Sequence, residues 1–260
     1  MITANCRTYL LLVLLFSCTL SVSHAQQSPQ AIFDRANNEL NDGNYSKALS
    51  LYKTLEAQND YSGALFLNMG IAYQRIDSLG MSKYYLFKAS RFEETEEKAI
   101  KSLEFLESQF SHQSAVLPKF PWDVATDWLR HNIGASTILL IGIIFLNLGI
   151  LAFVSHWFFD WYPNYLRLSG LSTLILSLLL ITCSFYTDYV SNRYSKAVMV
   201  TDKVPVVEQP DNNAPLVSQA FEGYTFTVDH YRSQSTEGWS YVRMSNGLYG
   251  WIPNSEIRIL

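Results

Sequence analysis

Cysteine is scarce: three stand in 260 residues, and Cys6 and Cys18 both fall within the first 25. Cys183 is then alone in the remainder, so no disulfide can form inside a mature chain and its soluble segments must be held by ordinary apolar cores. Basic charge is equally thin. Nineteen Lys and Arg stand against 23 Asp and Glu, a net charge of −4, with no basic run. The electrostatic footprint of nucleic-acid binding is missing, and no nucleic-acid partner is expected.

The motifs of common chemistries are missing too. The chain has no Gly-x-Ser-x-Gly, no phosphate-binding glycine loop, no His-Glu-x-x-His and no paired cysteines. His24, His112, His131, His156 and His230 lie far apart, so no local cluster offers a metal site. The acidic group Glu93, Glu94, Glu96 and Glu97 reads as the solvated first turn of a helix, where the dipole favours carboxylates. No catalytic residue, cofactor or metal is expected, and the chain is read as not an enzyme.

Charge is absent altogether from residues 133–154 and 168–187. Each stretch suffices to cross a hydrocarbon core of ~30 Å as a helix, so two spans are expected at 132–155 and 167–187. Between them, 156–166 is crowded with Trp and Tyr and reads as a turn at headgroup depth. Ser169, Thr173 and Ser177 recur every four residues, and Gly142 and Gly149 punctuate the first span. Small residues let backbones approach, which points to an intramolecular helical hairpin, with Asn147 expected to bond across it.

Residues 1–25 combine a single Arg7, an apolar run over 9–20, and Ser23 and Ala25 at the spacing a signal peptidase reads. A secretory signal peptide is expected; an uncleaved anchor and a lipidated Cys18 are the alternatives. A signal peptide places both soluble segments on the periplasmic face of the inner membrane. The charges oppose this, because Lys119, Arg130, Arg193 and Lys196 would flank the spans outside while Arg167 alone stays inside. The leader is read first, and the outside arrangement is the one expected.

Ahead of the spans, the sequence repeats at 34 residues: Gly43 matches Asp77, Tyr45 matches Leu79, Ala48 matches Ser82 and Tyr52 matches Leu86. Apolar residues at helical spacing flank each turn, so residues 29–110 read as helix–turn–helix pairs closed by a capping helix over 93–110, with Ile100, Leu103 and Leu106 on its buried stripe. Gly70, Tyr73 and Ala89, with Ala36, Gly43, Tyr45, Ala48 and Tyr52, resemble the tetratricopeptide repeat. That resemblance implies a concave partner-binding face made by Phe33, Asn37, Asn41, Leu67, Ile71, Gln74 and Arg75. Several of these serve equally well as packing between helices. Phe33 and Ile71 occupy two positions where the family's carboxylate clamp has polar residues, so a ligand of the chaperone-tail type is not implied.

Residues 111–131 read as a linker. Beyond residue 194 the pattern turns to short β-rich runs at 197–200, 204–207, 224–228, 239–243 and 249–252, with Asn246-Gly247 at a tight hairpin. Five or six strands of a small barrel over 195–260 are expected. The run from Gly238 through Trp251 and Ile252 resembles the bacterial SH3-like domain, which implies ligand binding through Tyr231, Trp239, Tyr241, Tyr249 and Trp251. Trp239 and Trp251 are also the natural core mass of so small a domain.

The expected fold class is therefore a multidomain membrane protein: an all-α tetratricopeptide-like repeat, a two-helix transmembrane hairpin and an all-β SH3-like barrel. In that order the parts resemble BatE-type proteins of the Bacteroides aerotolerance operons. The resemblance implies a scaffold linked to aerotolerance and oxidative-stress survival, whose partners are membrane proteins with von Willebrand factor A domains, besides the lipid bilayer itself. The alternative is a wall-sensing protein that binds peptidoglycan through the SH3-like domain.

Overall fold

The computed structural model describes residues 28–112, 115–118, 120–158 and 163–260. The expected signal peptide and the middle of the turn between the spans lie outside the described residues. The chain divides into two units, one ending at Tyr61 and the other beginning at Ser62.

The first unit is a helical hairpin of α1 (Pro29–Asn41) and α2 (Tyr45–Ala57). Pro29 starts α1 with a pre-set φ, and the Ser28 hydroxyl accepts from the Ala31 N–H at 3.3 Å. Gly43 turns the chain at φ +80°, a conformation open to glycine at little cost. Ile32, Ala36, Ala48, Leu49, Tyr52 and Leu55 are buried, and the Tyr52 hydroxyl donates to Asn37 Oδ1 at 2.7 Å.

The second unit opens with a hairpin of the same design, α3 (Gly63–Arg75) and α4 (Leu79–Ala89). Asp77 stands at φ +62°, 34 residues after Gly43, and Asp is among the few residues other than Gly that visit this region. Ser82 and Leu86 are buried as their counterparts Ala48 and Tyr52 are. The helices approach closely because Gly70 has no side chain: a Cβ there would come within 2.8 Å of Leu86, and the Ser82 hydroxyl donates to the Gly70 carbonyl at 2.8 Å. Helix α5 (Glu96–Glu107) packs on this pair through Ala99 and Leu106. Ile100 is exposed, so the buried stripe is turned one residue from the expected one, and it continues to Phe110 rather than through Ile100.

The segment expected as a linker contains a further helix, α6 (Pro121–Asn132). Then come the two apolar helices, α7 (Ala135–Phe158) and α8 (Pro163–Arg193), both long and apolar enough to cross a membrane. They run antiparallel. A Cβ on Gly142 would meet Ile181 at 2.9 Å, and one on Gly149 would meet Leu174 at 2.8 Å. Ser177 donates to the Gly142 carbonyl at 2.9 Å and Ser184 to the Ala135 carbonyl at 2.6 Å, so the start of α7 lies level with Ser184. One expectation changes here. The Asn147 amide reaches Ile143 O of its own helix at 2.8 Å instead of crossing to α8, and Ser169 and Thr173 likewise donate to carbonyls of their own helix. A carbonyl four residues back is always in reach of these side chains.

Strand β1 (Tyr194–Met199) follows α8 with no residue between. The remaining strands are β2 (Lys203–Val207), β3 (Leu216–Phe221), β4 (Thr225–Asp229), β5 (Trp239–Met244), β6 (Tyr249–Pro253) and β7 (Ile257–Ile259), with a short helix, α9 (His230–Ser233), after β4. They form one antiparallel sheet in the order β3-β2-β6-β5-β4-β1-β7. The sheet is not closed: β3 and β7 stand at its ends, so the expected barrel of five or six strands is an open sheet of seven. At the Asn246-Gly247 hairpin, of these two residues Gly247 alone takes a positive φ, +87°. Gly247 N–H donates to Met244 O and Met244 N–H to Leu248 O, the pattern of a type I turn with a glycine bulge rather than a two-residue turn.

The sheet core is built of Ala197, Met199, Val206, Ala220, Phe226, Val228, Val242, Met244, Ile252 and Ile257. Trp239 and Trp251 are not in it. Alternation along β5 and β6 buries Ser240, Val242 and Ile252, which turns Trp239, Tyr241 and Trp251 to the opposite face.

Candidate functional site

That opposite face gathers the aromatics. Register sets Tyr241 across from Trp251 and Arg243 across from Tyr249. The Tyr241 and Tyr249 rings stack at 6.2 Å between centroids, and Trp251 meets Tyr241 edge-on at 5.3 Å. Such offset and edge contacts are the favoured geometries of aromatic pairs. The Arg232 guanidinium lies over the Tyr241 ring at 4.6 Å, a cation–π contact that adds positive charge beside the ring cluster. Helix α9 supplies that arginine. Asp229 caps α9 by accepting from the Arg232 N–H, and the Ser233 hydroxyl accepts from the Tyr241 N–H at 2.9 Å, so α9 is tied to β5.

Of the five expected ligand-binding aromatics, Tyr241 touches both Tyr249 and Trp251, and Trp239 shares their face two residues along β5. Tyr249 is 51% exposed, and the other three are half-buried. Tyr231 is 72% exposed on α9, with its ring 5.5 Å from the Arg193 guanidinium rather than against the cluster. Arg232 and Arg243 had no counterpart in the sequence reading; the alternation of β5 carried a signal for Arg243, whereas nothing local marked Arg232.

The opposite end of the sheet is occupied. Lys83 of α4 is buried, and its ammonium donates to the Gly223 carbonyl at 2.6 Å, pairs with Glu107 Oε1 at 2.5 Å and lies 5.2 Å from the Phe110 ring centroid. The Gly80 N–H donates to Glu222 Oε1 at 2.7 Å. Lys196 sits over the Phe87 ring at 4.4 Å, and His112 stacks on Phe221 at 3.9 Å. Helix α4 is thus docked on the sheet by polar contacts as well as by ring packing, and α5 is joined to it through Glu107. Burial pushes the Glu222 carboxyl up, helped by the nearby charges of Asp202 and Asp77, and the Gly80 and Leu79 N–H groups offset part of this.

The sheet is also tied to the end of α8. Arg193 grips Asp229 through Nε to Oδ1 at 3.2 Å and Nη2 to Oδ2 at 2.7 Å, and also contacts the Tyr189 hydroxyl. Burial pushes the Asp229 carboxyl up, but hydrogen bonds from Arg193 and from the backbone N–H groups of Arg232 and Tyr231 outweigh it and hold the carboxyl below its ordinary range.

The residues expected on a concave helical face divide by role. In the first unit, Phe33 packs against Tyr52 at 6.0 Å and Asn37 takes the Tyr52 hydroxyl, whereas Asn41 is exposed. In the second, Leu67 is buried, Ile71 is half-buried, the Gln74 amide donates to Gln109 Oε1 at 3.0 Å and Arg75 is exposed. Asn41 and Arg75 are the exposed members of the set.

Among the described residues, no group of three or more His, Cys, Asp or Glu side chains is placed to hold a metal ion. Compared with models of known protein families the chain matches none, and compared with curated proteins it again finds no match.

Proposed function

We propose that the chain is a non-enzymatic scaffold anchored in the inner membrane by two spans. A tetratricopeptide-like module and an SH3-like module face the periplasm and assemble a membrane protein complex of the BatE type, linked to aerotolerance and oxidative-stress survival. Membrane proteins with von Willebrand factor A domains are the partners. One observation carries this reading: a partly exposed aromatic and arginine face, Tyr241, Tyr249, Trp251 and Arg232, sits on a sheet held by helices at one end and by the end of α8 at another. Such a surface is pre-ordered, so a partner that docks on it does not meet the entropy cost of arranging it. Arg75 and Asn41 are the exposed contacts on the helical side.

The same rings favour a second reading. The exposed ring of Tyr249, stacked on the half-buried Tyr241, also suits a sugar face, which supports a wall-sensing protein that binds peptidoglycan. Co-purification of the tagged full-length protein in mild detergent separates the two. The scaffold reading expects membrane proteins with von Willebrand factor A domains, reduced by Arg75→Glu and by Tyr249→Ala. Recovery of wall fragments alone, lost with Tyr249→Ala and unaffected by Arg75→Glu, favours the second. Orientation is checked by labelling Asn59→Cys and Asn213→Cys with an impermeant maleimide; protection of both in intact spheroplasts would contradict periplasmic modules.

A further inference from the structure

Helix α6 is built inside out for a water-facing helix. Trp122, Val124 and Trp128 are 60%, 53% and 57% exposed, with Pro121 and Ala125 exposed on the same side. Thr126 and Asp127, the polar residues of the central turn, are half-buried instead. Phe120 extends the exposed surface, its ring stacked on Trp122 at 4.7 Å. A helix that shows its apolar arc outward and turns polar residues inward is covered by something apolar on that side.

The apolar helices say what covers it. Trp157, Phe158 and Tyr165 crowd one end of the pair, and Phe185, Tyr186 and Tyr189 the other. Tyr165 to Phe185 is 20 residues of one helix, or about 30 Å at ~1.5 Å each, the thickness of a hydrocarbon core. These two sets are spaced like the aromatic belts of the two headgroup layers. Ser184 bonds to Ala135 at the start of α7, and α6 ends at Asn132 with two residues between, where Gly134 at φ +78° breaks the helix. Helix α6 also touches α8. It therefore stands at the level of the Phe185 belt, where a layer of headgroups begins.

We propose that α6 lies in the headgroup layer of the bilayer that α7 and α8 cross, with Trp122, Val124 and Trp128 sunk to the acyl boundary. The proposal rests on the two-span reading. Tryptophan suits this depth because its ring is apolar and its N–H stays with water and headgroups. A helix held there fixes the height of the soluble parts above the membrane.

The test is spin labelling of the full-length protein in phosphatidylcholine and phosphatidylglycerol vesicles, with one cysteine at a time in a background free of the others. Labels go at Val124→Cys and Trp128→Cys, at Leu148→Cys as an exposed site within α7, and at Asn213→Cys as an aqueous reference. Oxygen collects in the acyl layer and a polar nickel complex in water, so their collision ratio reports depth. The ratio at 124 and 128 is expected to be several-fold above that at 213 and below that at 148. A deep 148 with aqueous values at 124 and 128 overturns the proposal and leaves the spans intact. A deep 148 with 124 and 128 immobile and shielded from both agents also overturns it, because a protein surface then covers α6. An aqueous 148 overturns the two-span reading and the proposal with it.

Discussion

Gly80→Ala sets local propensity against docking, and the two have opposite signs. In an isolated helix the change favours α4 by up to ~1 kcal/mol, since Ala has the best helix propensity and Gly nearly the worst. In the folded chain the new Cβ would lie 2.4 Å from the Met199 carbonyl oxygen and 2.9 Å from Val200 Cα. Ordinary contact begins near 3.4 Å, so the shortfall against Met199 is 3.4 − 2.4 = 1.0 Å. Both obstacles are backbone, and neither can rotate away. Overpacking of this kind costs about 1–3 kcal/mol. A retreat of the helix by that amount also stretches the Gly80–Glu222 hydrogen bond, now 2.7 Å, beyond bonding range. A charged partner puts such a bond at ~1.5–3 kcal/mol, and the partial exposure of Glu222 brings it to about 1 kcal/mol. Subtracting the propensity gain leaves a net loss of roughly 1–3 kcal/mol. Amide hydrogen exchange of the full-length protein in detergent measures this directly. Protection at the end of β1 and in α4 should fall about 5- to 150-fold, while that of α1 and α2 stays unchanged. Unchanged or greater protection in α4 would refute the reasoning, because helix propensity would then outweigh a docking contact that must be loose.

Lys83→Met keeps the aliphatic stem but removes the donor to the buried Gly223 carbonyl and the ion pair of Lys83 with Glu107; a loss of about 1–3 kcal/mol is expected. A double-mutant cycle with Gly80→Ala, read by the same exchange experiment, should give a coupling beyond additivity, since both act on one interface. The two perturbed carboxyls give opposite pH trends. The Asp229 carboxyl is depressed in the fold, so its contribution to the joint with α8 is complete above the ordinary carboxyl range and is lost as pH falls through it. The Glu222 carboxyl is raised, so its cost to docking is absent at acid pH and appears as pH climbs through and above the ordinary carboxyl value. Protection should therefore rise with pH at β4 and fall with pH at α4, and Glu222→Gln should flatten the second trend alone. In the apolar pair, Gly142→Leu drives a side chain into Ile181, already 2.9 Å from a bare Cβ, and cross-linking between cysteines placed on α7 and α8 should drop sharply; an unchanged yield would mean that the pair is not closely packed.

The parts legible in the sequence were those written in local periodicity. The two uncharged stretches became α7 and α8, and the 34-residue repeat reappears as matched positive-φ turns at Gly43 and Asp77. Strands β4, β5 and β6 alternate cleanly and were placed within a residue or so. Strand β3 was missed because Leu216, Val217, Ser218 and Gln219 follow Pro215 with weak alternation. Helix α6 lies in the stretch expected as a linker; Pro118 and Pro121 sit at its approach, and Pro121 is in fact its first residue. The assignment of Trp239 and Trp251 as core mass failed because Phe226 and smaller apolar side chains fill the sheet interior. Of the candidate site, the cluster of Tyr241, Tyr249 and Trp251 follows from alternation and the hairpin. The docking of Lys83 on Gly223 joins residues 140 positions apart, and no local pattern encodes such a contact.

The scaffold account is tested most directly by placing a photo-crosslinking amino acid at Tyr249, and separately at Arg75, in the full-length protein in living cells. The account predicts a covalent adduct to a membrane protein from each position, with the Tyr249 adduct lost on Trp251→Ala. Adducts to wall glycan from position 249 and none from position 75 would contradict it.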